Sequence, residues 1–308
     1  MNLLNFVKQY PDEASCRSKF KEYRDKEGVI YPHCGSKEHY WKKDRESYEC
    51  KKCRRRQSLR ANTVMHGSQL PFRYWFISIH LLTGTKKSFP ASELQRQSGH
   101  KRYEPIWKML HKLRGIMGRR DELYTLSGVI ELDEGFFSTE IREEEKDKPL
   151  KRSRGSQKKS KVPVMAESEP VEGVKTKNGK PRKVGHHKMI VIDDLKSETI
   201  TPVVEETVSG FSIIDCDDST SSVKLKNIVE EHRPQVIPQN EIEKTLPWVH
   251  LSISNAKRML LDIFHDIKSQ YLQNYLNEFF YKFNRRYFGE FLFDRLMIAA
   301  VSYKNVFR

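Results

Sequence analysis

The chain has 308 residues, a formal net charge of +15 and a pI near 9.5, so it is long enough for two domains or for one large domain with appendages. Lys and Arg are spread over every region rather than one tail, which points to a polyanionic partner without fixing the chemistry. No run of about 18 apolar residues occurs, and the opening MNLLNFVKQYPDEAS lacks the order of a secretory leader, which excludes a membrane-spanning helix and predicts a cytoplasmic, nucleoid-associated protein.

In chain order, residues 1–28 carry Phe6, Val7, Phe20 and Tyr23 among charges and predict a short helical lead-in. Residues 29–67 are basic and hold three of the five cysteines. An odd count with such clustering reads as metal binding before disulfides. Cys50-Lys-Lys-Cys53 is a complete knuckle, whose turn presents two thiolates to one Zn²⁺. The first knuckle reads Tyr31-Pro32-His33-Cys34, with tyrosine where a cysteine is expected. Cys34, Cys50 and Cys53 are therefore zinc ligands with the fourth missing at Tyr31, and His33 and His39 are the candidates to replace it. The alternative is incidental cysteines in a basic loop.

Residues 68–120 turn helical. Phe72, Trp75, Phe76, Ile79 and Leu82 form one apolar stripe, a short helix covers 90–97 and stops at Gly99, and a third helix follows from Tyr103 to Arg119. The last two fit a helix-turn-helix, its second helix basic through Lys108, Lys112 and Arg114.

From Gly128 the period becomes that of strands. Residues 129–137, 162–167, 187–192 and 211–217 are β-favouring, separated first by a basic surface insertion, 143–161. Helices are expected over 199–209 and 223–232, and a wholly helical end over 252–308. The strand Glu131-Leu132-Asp133-Glu134-Gly135 sets Glu131 and Asp133 on one face. A mid-strand carboxylate there is either a metal ligand, since burial demands a cation, or a solvated acid on an edge strand. The cluster Asp215-Cys216-Asp217-Asp218-Ser219-Thr220 closes the strand from Phe211. It offers a second metal ligand, a helix N-cap at Asp218 or Ser219, or both. Asn255, in Ile253-Ser254-Asn255-Ala256-Lys257-Arg258, can offer a carbonyl oxygen to a hard cation, or belong to a cap region.

Together these segments resemble bacterial insertion-sequence transposases of the DDE superfamily, in the ISXO-like branch that joins a zinc ribbon to a ribonuclease H-like domain and admits Asn at the third catalytic position. The resemblance rests on Pro-His-Cys-Gly at 32–35, Tyr-x-Cys-x-x-Cys at 48–53, Arg-Arg-Gln-Ser at 55–58, Leu-Asp-Glu-Gly at 132–135, Asp-Asp-Ser-Thr at 217–220, Ile-Ser-Asn-x-Lys at 253–257 and the segment 275–286. It implies an α/β fold: a ribonuclease H-like mixed sheet flanked by helices over 128–308, behind the zinc-ribbon-like module and the helix-turn-helix. It implies that Asp133, Asp217 and Asn255 bind two Mg²⁺ ions, with Lys257 as a basic partner to DNA. Arg54, Arg55, Arg56, Lys108, Lys112 and Arg258 are the expected DNA contacts. The implied partner is double-stranded DNA, as terminal inverted repeats and target, engaged by a homo-oligomer. The implied function is cutting and joining DNA at the ends of an insertion sequence. The alternatives are a non-catalytic zinc-ribbon and helix-turn-helix DNA binder, or an inactive remnant.

Overall fold

A computed structural model describes residues 1–152, 155–170, 182–236 and 245–303. It divides into two compact units, Met1–Arg120 with Arg285–Arg308, and Asp121–Asn284.

The first unit opens with helices α1 (Leu3–Gln9) and α2 (Glu13–Glu27). α2 begins at Asp12, whose carboxylate accepts the Ser15 N–H at 2.8 Å in a reciprocal capping box. A three-stranded antiparallel sheet follows, β1 (His39–Lys42), β2 (Ser47–Cys50) and β3 (Arg56–Ser58) in that order. Helices α3 (Phe72–Gly84), α4 (Ala91–Ser98) and α5 (Tyr103–Glu122) come next, as the apolar stripes predict. α4 ends at Gly99, whose left-handed φ of +66° suits a residue without a side chain. Arg114 of α5, expected to make the second helix basic toward DNA, is 1 % exposed instead; its guanidinium donates to the Ser88 hydroxyl and the Phe89 carbonyl before α4.

The chain end departs from expectation. The reading of 128–308 as one domain assigned its last helix to the catalytic part, but α9 (Leu292–Ser302) packs with the first unit against α2 and α3. Phe293 is the anchor, with its ring centroid 5.7 Å from Tyr10 and 6.1 Å from Phe76. An amphipathic helix reveals that it has an apolar face, not which core receives it.

The second unit is a five-stranded mixed sheet of β4 (Val129–Ser138), β5 (Lys159–Pro170), β6 (Arg182–Met189), β7 (Ile213–Asp217) and β8 (Glu231–Gln235). Its order is β6-β5-β4-β7-β8. The first three strands form antiparallel pairs, while β4–β7 and β7–β8 are parallel, which is the ribonuclease H-like arrangement. Alternation along the strands divides the core in two. Ile130, Leu132, Met165, Ile214 and Cys216 face α6 (Ser197–Thr207). Phe137, Val162, Val164, Ala166 and Met189 face α7 (Pro247–Leu261) and α8 (Ser269–Asn284).

Three expectations are corrected. Residues 223–232 are not a helix: a short 3-10 turn, Val223–Asn227, leads into β8. Glu231–Gln235 is polar and contains Pro234, which an edge strand tolerates and which hides it from pattern reading. The helix that Asp218 or Ser219 was to cap is therefore absent. The basic insertion also ends earlier, because β5 starts at Lys159; residues 153 and 154 lie outside those described.

Glu167 is 3 % exposed, and its carboxylate accepts from the Tyr124 hydroxyl at 2.9 Å and from the N–H groups of Ser127 and His186 at 3.1 and 2.8 Å. A Cβ on Gly185 would meet Glu167 Oε2 at 2.4 Å and its Cβ at 2.8 Å. The carboxylate is tied in place and the Cβ cannot rotate away. Gly185→Ala should therefore cost about 2 kcal/mol, the scale of overpacking a filled core, read as a lower urea midpoint with unchanged slope. An unshifted midpoint would show that β6 can yield.

Candidate active site

The acidic strand is not an edge. β4 is the central strand, paired on both sides, so Asp133 is not an acid on an edge strand. In the parallel register Glu131 lies beside Asp215 and Leu132 beside Cys216. One residue further, Asp133 and Asp217 follow at the ends of the paired segment, on the face shared with Glu131 and Asp215. Neighbouring strands lie about 4.8 Å apart, so the register brings Asp133, midway along β4, next to the end of β7 at Asp217, both only partly buried. Asp218 lies beyond the strand and is exposed. Asp215 is 7 % exposed, with the Arg233 guanidinium 4.0 Å from its Oδ1. Glu134 points to the other face and accepts the Ser221 hydroxyl at 2.6 Å.

Glu131 has a distinct role. It is 1 % exposed, and its Oε2 accepts the N–H groups of Trp248 at 2.7 Å and Val249 at 3.2 Å. These are first-turn donors of α7, whose own N-cap residue, Leu246, makes no side-chain cap. A carboxylate there satisfies orphan donors and meets the positive end of the helix. Further along, the Ser252 hydroxyl bonds the His187 ring of β6, and Asn284 grips the His187 backbone through 2.8 and 3.0 Å bonds. α7 is thus pinned to β4 at its start and to β6 one turn later.

This pinning fixes which side of α7 faces the aspartates. Val249, Ile253, Ala256 and Leu260 are buried against the sheet. His250 lies on the β4 flank, its Nδ1 3.3 Å from Asp133 Oδ2. With about 100° per residue, Ser254 and Lys257 share that flank. The Lys257 ammonium sits 5.8 Å from the Phe137 ring centroid. Its pKa is lowered by burial and by Lys159, with Asp133 opposing. Asn255, five residues after His250, falls about 140° around the axis, on the flank of Ser252, and no contact among the described residues joins it to either aspartate. His250 escaped the sequence reading; its only signal was a polar residue in the first turn of an otherwise amphipathic helix.

The thiols of Cys34, Cys50 and Cys53 lie within 4.8 Å of one another, the one such cluster of metal-binding side chains among the described residues. Cys34 and Cys50 are 3.6 Å apart, near the ~3.7 Å edge of a tetrahedron with Zn–S bonds of about 2.3 Å. Three corners therefore fit zinc. Although burial works against it, the backbone N–H of Cys53 and the neighbouring thiol bring the Cys50 pKa down to about 7, the direction a metal-binding thiol requires. The first knuckle keeps its turn, with the N–H groups of Cys34 and Gly35 donating to the Tyr31 carbonyl at 3.2 and 2.8 Å. Tyr31 itself is 1 % exposed, and burial followed by the Cys50 charge pushes its phenol up to about 12, so it stays protonated at neutral pH. Neither of the candidates His33 and His39 lies within that cluster; His39 Nδ1 lies 3.1 Å from the Lys37 carbonyl.

The basic residues divide by environment. Arg56 and Arg54 flank Glu49 at 2.8 and 4.0 Å, which partly neutralises them, whereas Arg55 is exposed without an ion pair among the described residues. Lys108 pairs with Glu104 at 2.7 Å. Lys112 donates to the His66 carbonyl at 2.8 Å, and burial lowers its pKa. Arg258 is exposed on α7. Among the described residues no helix is long and apolar enough to cross a membrane.

No curated protein matches the chain. Among solved structures it is similar to the one described as "Crystal structure of a pre-cleavage Mos1 transpososome", with 10 % identity, a TM-score of 0.29, and coverage of 78 % of this chain and 82 % of that one. That likeness is too slight to equate residues. The family comparison is decisive: residues 125–284, more than half of the chain and nearly all of the second unit, match the model of the ISXO2-like transposase domain, and the chain belongs to that family of DNA-processing enzymes.

Proposed function

We propose that the chain cuts and joins DNA at the ends of an insertion sequence by metal-dependent phosphoryl transfer, with Asp133 and Asp217 as the ion-binding pair. The observation that supports this most directly is the β4–β7 register, which carries Asp133, midway along β4, to the neighbourhood of Asp217 at the end of β7 in a transposase domain. Two all-oxygen, partly exposed donors suit a hard divalent cation such as Mg²⁺. When bound, a pair of such ions would supply Lewis acidity toward the attacking water or 3′-hydroxyl and toward the departing oxygen. Asp133 and Asp217 hold the position, Glu131 and His187 orient α7, and Lys257 offers positive charge to a phosphate beside the pair. The family resemblance implies Asn255 of α7 as a third donor, a role that its place about 140° around the helix from His250 does not support. Terminal inverted repeats and target DNA are the partners, bound by a homo-oligomer in which Arg55, Arg258 and the helix-turn-helix of α4 and α5 contact phosphates. The test is incubation of the purified chain with DNA carrying the element ends. Divalent-ion-dependent strand cleavage leaving 3′-hydroxyls is expected, and a salt-sensitive gel shift without cleavage would favour the non-catalytic DNA binder.

The ribbon is the weaker part of this machinery. Cys34, Cys50 and Cys53 would hold Zn²⁺ in a three-thiolate site whose fourth corner Tyr31 does not fill, a specific observation favouring decay of the DNA-binding module. Zinc should therefore be readily stripped by a chelator. Tyr31→Cys restores the fourth thiolate on a turn already formed and should raise zinc affinity by about 100-fold, on the scale of changes at metal sites. Competition with a chromogenic chelator measures this, and equal affinity for both proteins would show that the fourth ligand is not missing.

A further inference from the structure

We infer that His250 is a metal ligand of the active site and that it tilts the site's preference from Mg²⁺ toward Mn²⁺. This rests on the proposed role of Asp133 and names its companion. His250 Nδ1 and Asp133 Oδ2 are 3.3 Å apart, and two adjacent donors on one octahedral ion, each about 2.1 Å from it, must lie about 3 Å from one another. The same point can thus be reached by both atoms without moving either element.

α7 is also not free to turn away. Glu131 fixes its first turn, with His250 directly following the two capped residues, and the Ser252–His187 bond holds the opposite flank to β6. The imidazole is therefore delivered by a helix fastened at two places, which is how a first ligand is oriented by its supporting contacts.

Asn255 lies about 140° around α7 from His250 and would need the helix to roll about its axis to reach Asp133. Such a roll would pull Val249, Ile253 and Ala256 out of the core they share with Val164 and Met189 and break both fastenings. His250 needs no movement.

The chemical consequence follows from donor type. A carboxylate pair alone suits Mg²⁺, which accepts nitrogen poorly, whereas imidazole favours later divalent ions in the series that begins at Mn²⁺.

The test uses the full chain and Mn²⁺ as the probe, followed by electron paramagnetic resonance. Wild-type protein should bind Mn²⁺ with a ¹⁴N modulation in its electron spin echo, which only a nitrogen ligand gives. His250→Gln should lose that modulation and bind Mn²⁺ about tenfold more weakly, while Mg²⁺ competition changes less than twofold. The wild-type echo requires no variant to fold, so the assignment stays falsifiable if His250→Gln is unstable. Two failures are distinguishable. If Asp133→Ala leaves Mn²⁺ binding intact, the proposed carboxylate pair is wrong and this inference falls with it. If Asp133→Ala abolishes binding but the wild-type echo carries no ¹⁴N modulation, the pair stands and the role of His250 alone is overturned.

Discussion

Asp133→Asn and Asp217→Asn are each expected to lower strand cleavage at element ends by at least about a thousandfold while leaving DNA binding within a few-fold of wild type. Each change keeps the shape of the side chain and removes one negative charge from a position abreast of the other. Bound divalent ions stabilise a phosphoryl-transfer transition state by several kcal/mol, and each 1.36 kcal/mol is about tenfold in rate. Because the two carboxylates act as one site, the double variant should be scarcely worse than either single one. Asp218→Asn supplies the contrast. That side chain is exposed and one residue past the strand, so it should retain activity within about threefold, the ordinary result of an uncoupled surface change. Initial rates on a labelled end fragment, with a filter-binding titration beside them, measure both quantities. Losses of tenfold or less at Asp133 or Asp217, or a thousandfold loss at Asp218, would remove the pair from the chemistry.

What the sequence disclosed and what it hid follow from the range of the interactions involved. β4 was legible because Val129–Phe137 is rich in β-favouring residues and alternates apolar with acidic over Ile130–Asp133, both of them local properties. The cysteine cluster was legible because a knuckle is a four-residue turn. β8 was not, since Glu231–Gln235 is an edge strand whose pairing with β7 demands little of its side chains. The destination of α9 was equally hidden, because Phe293 could pack in any core until Tyr10 and Phe76 are brought to it. The sharpest example is α7. The segment Trp248–Arg258 reads as the polar start of an amphipathic helix, but whether the aspartate-facing flank holds Asn255 or His250 depends on the helix's rotation. That rotation is set by Glu131, Ser252, His187 and Asn284, through bonds that span as many as 118 residues.

Glu131→Ala is for that reason expected to be the most damaging change outside the aspartate pair, by about 3 kcal/mol of stability. It would leave the buried N–H groups of Trp248 and Val249 without their acceptor, each such loss costing about 1–3 kcal/mol, and would remove negative charge from a helix N-terminus, worth about 0.3–1 kcal/mol. Glu131→Gln keeps an oxygen to accept and should cost only about 1 kcal/mol. Glu131 shares a face with Asp133, so a rival reading makes it a metal ligand. The two roles predict opposite patterns. As a cap, Glu131→Gln leaves Mn²⁺ affinity within about twofold, because the amide still holds α7 in place, and the alanine variant loses cleavage in proportion to the freed motion of His250 and Lys257. As a ligand, Glu131→Gln would lose ion affinity as severely as Asp133→Asn with little change in the urea midpoint. Geometry favours the cap, because the oxygen facing α7 is already spent on two backbone donors. Urea unfolding of both variants, read beside Mn²⁺ titration of the glutamine form, separates the outcomes, and a stable Glu131→Gln protein that no longer binds Mn²⁺ would overturn the assignment.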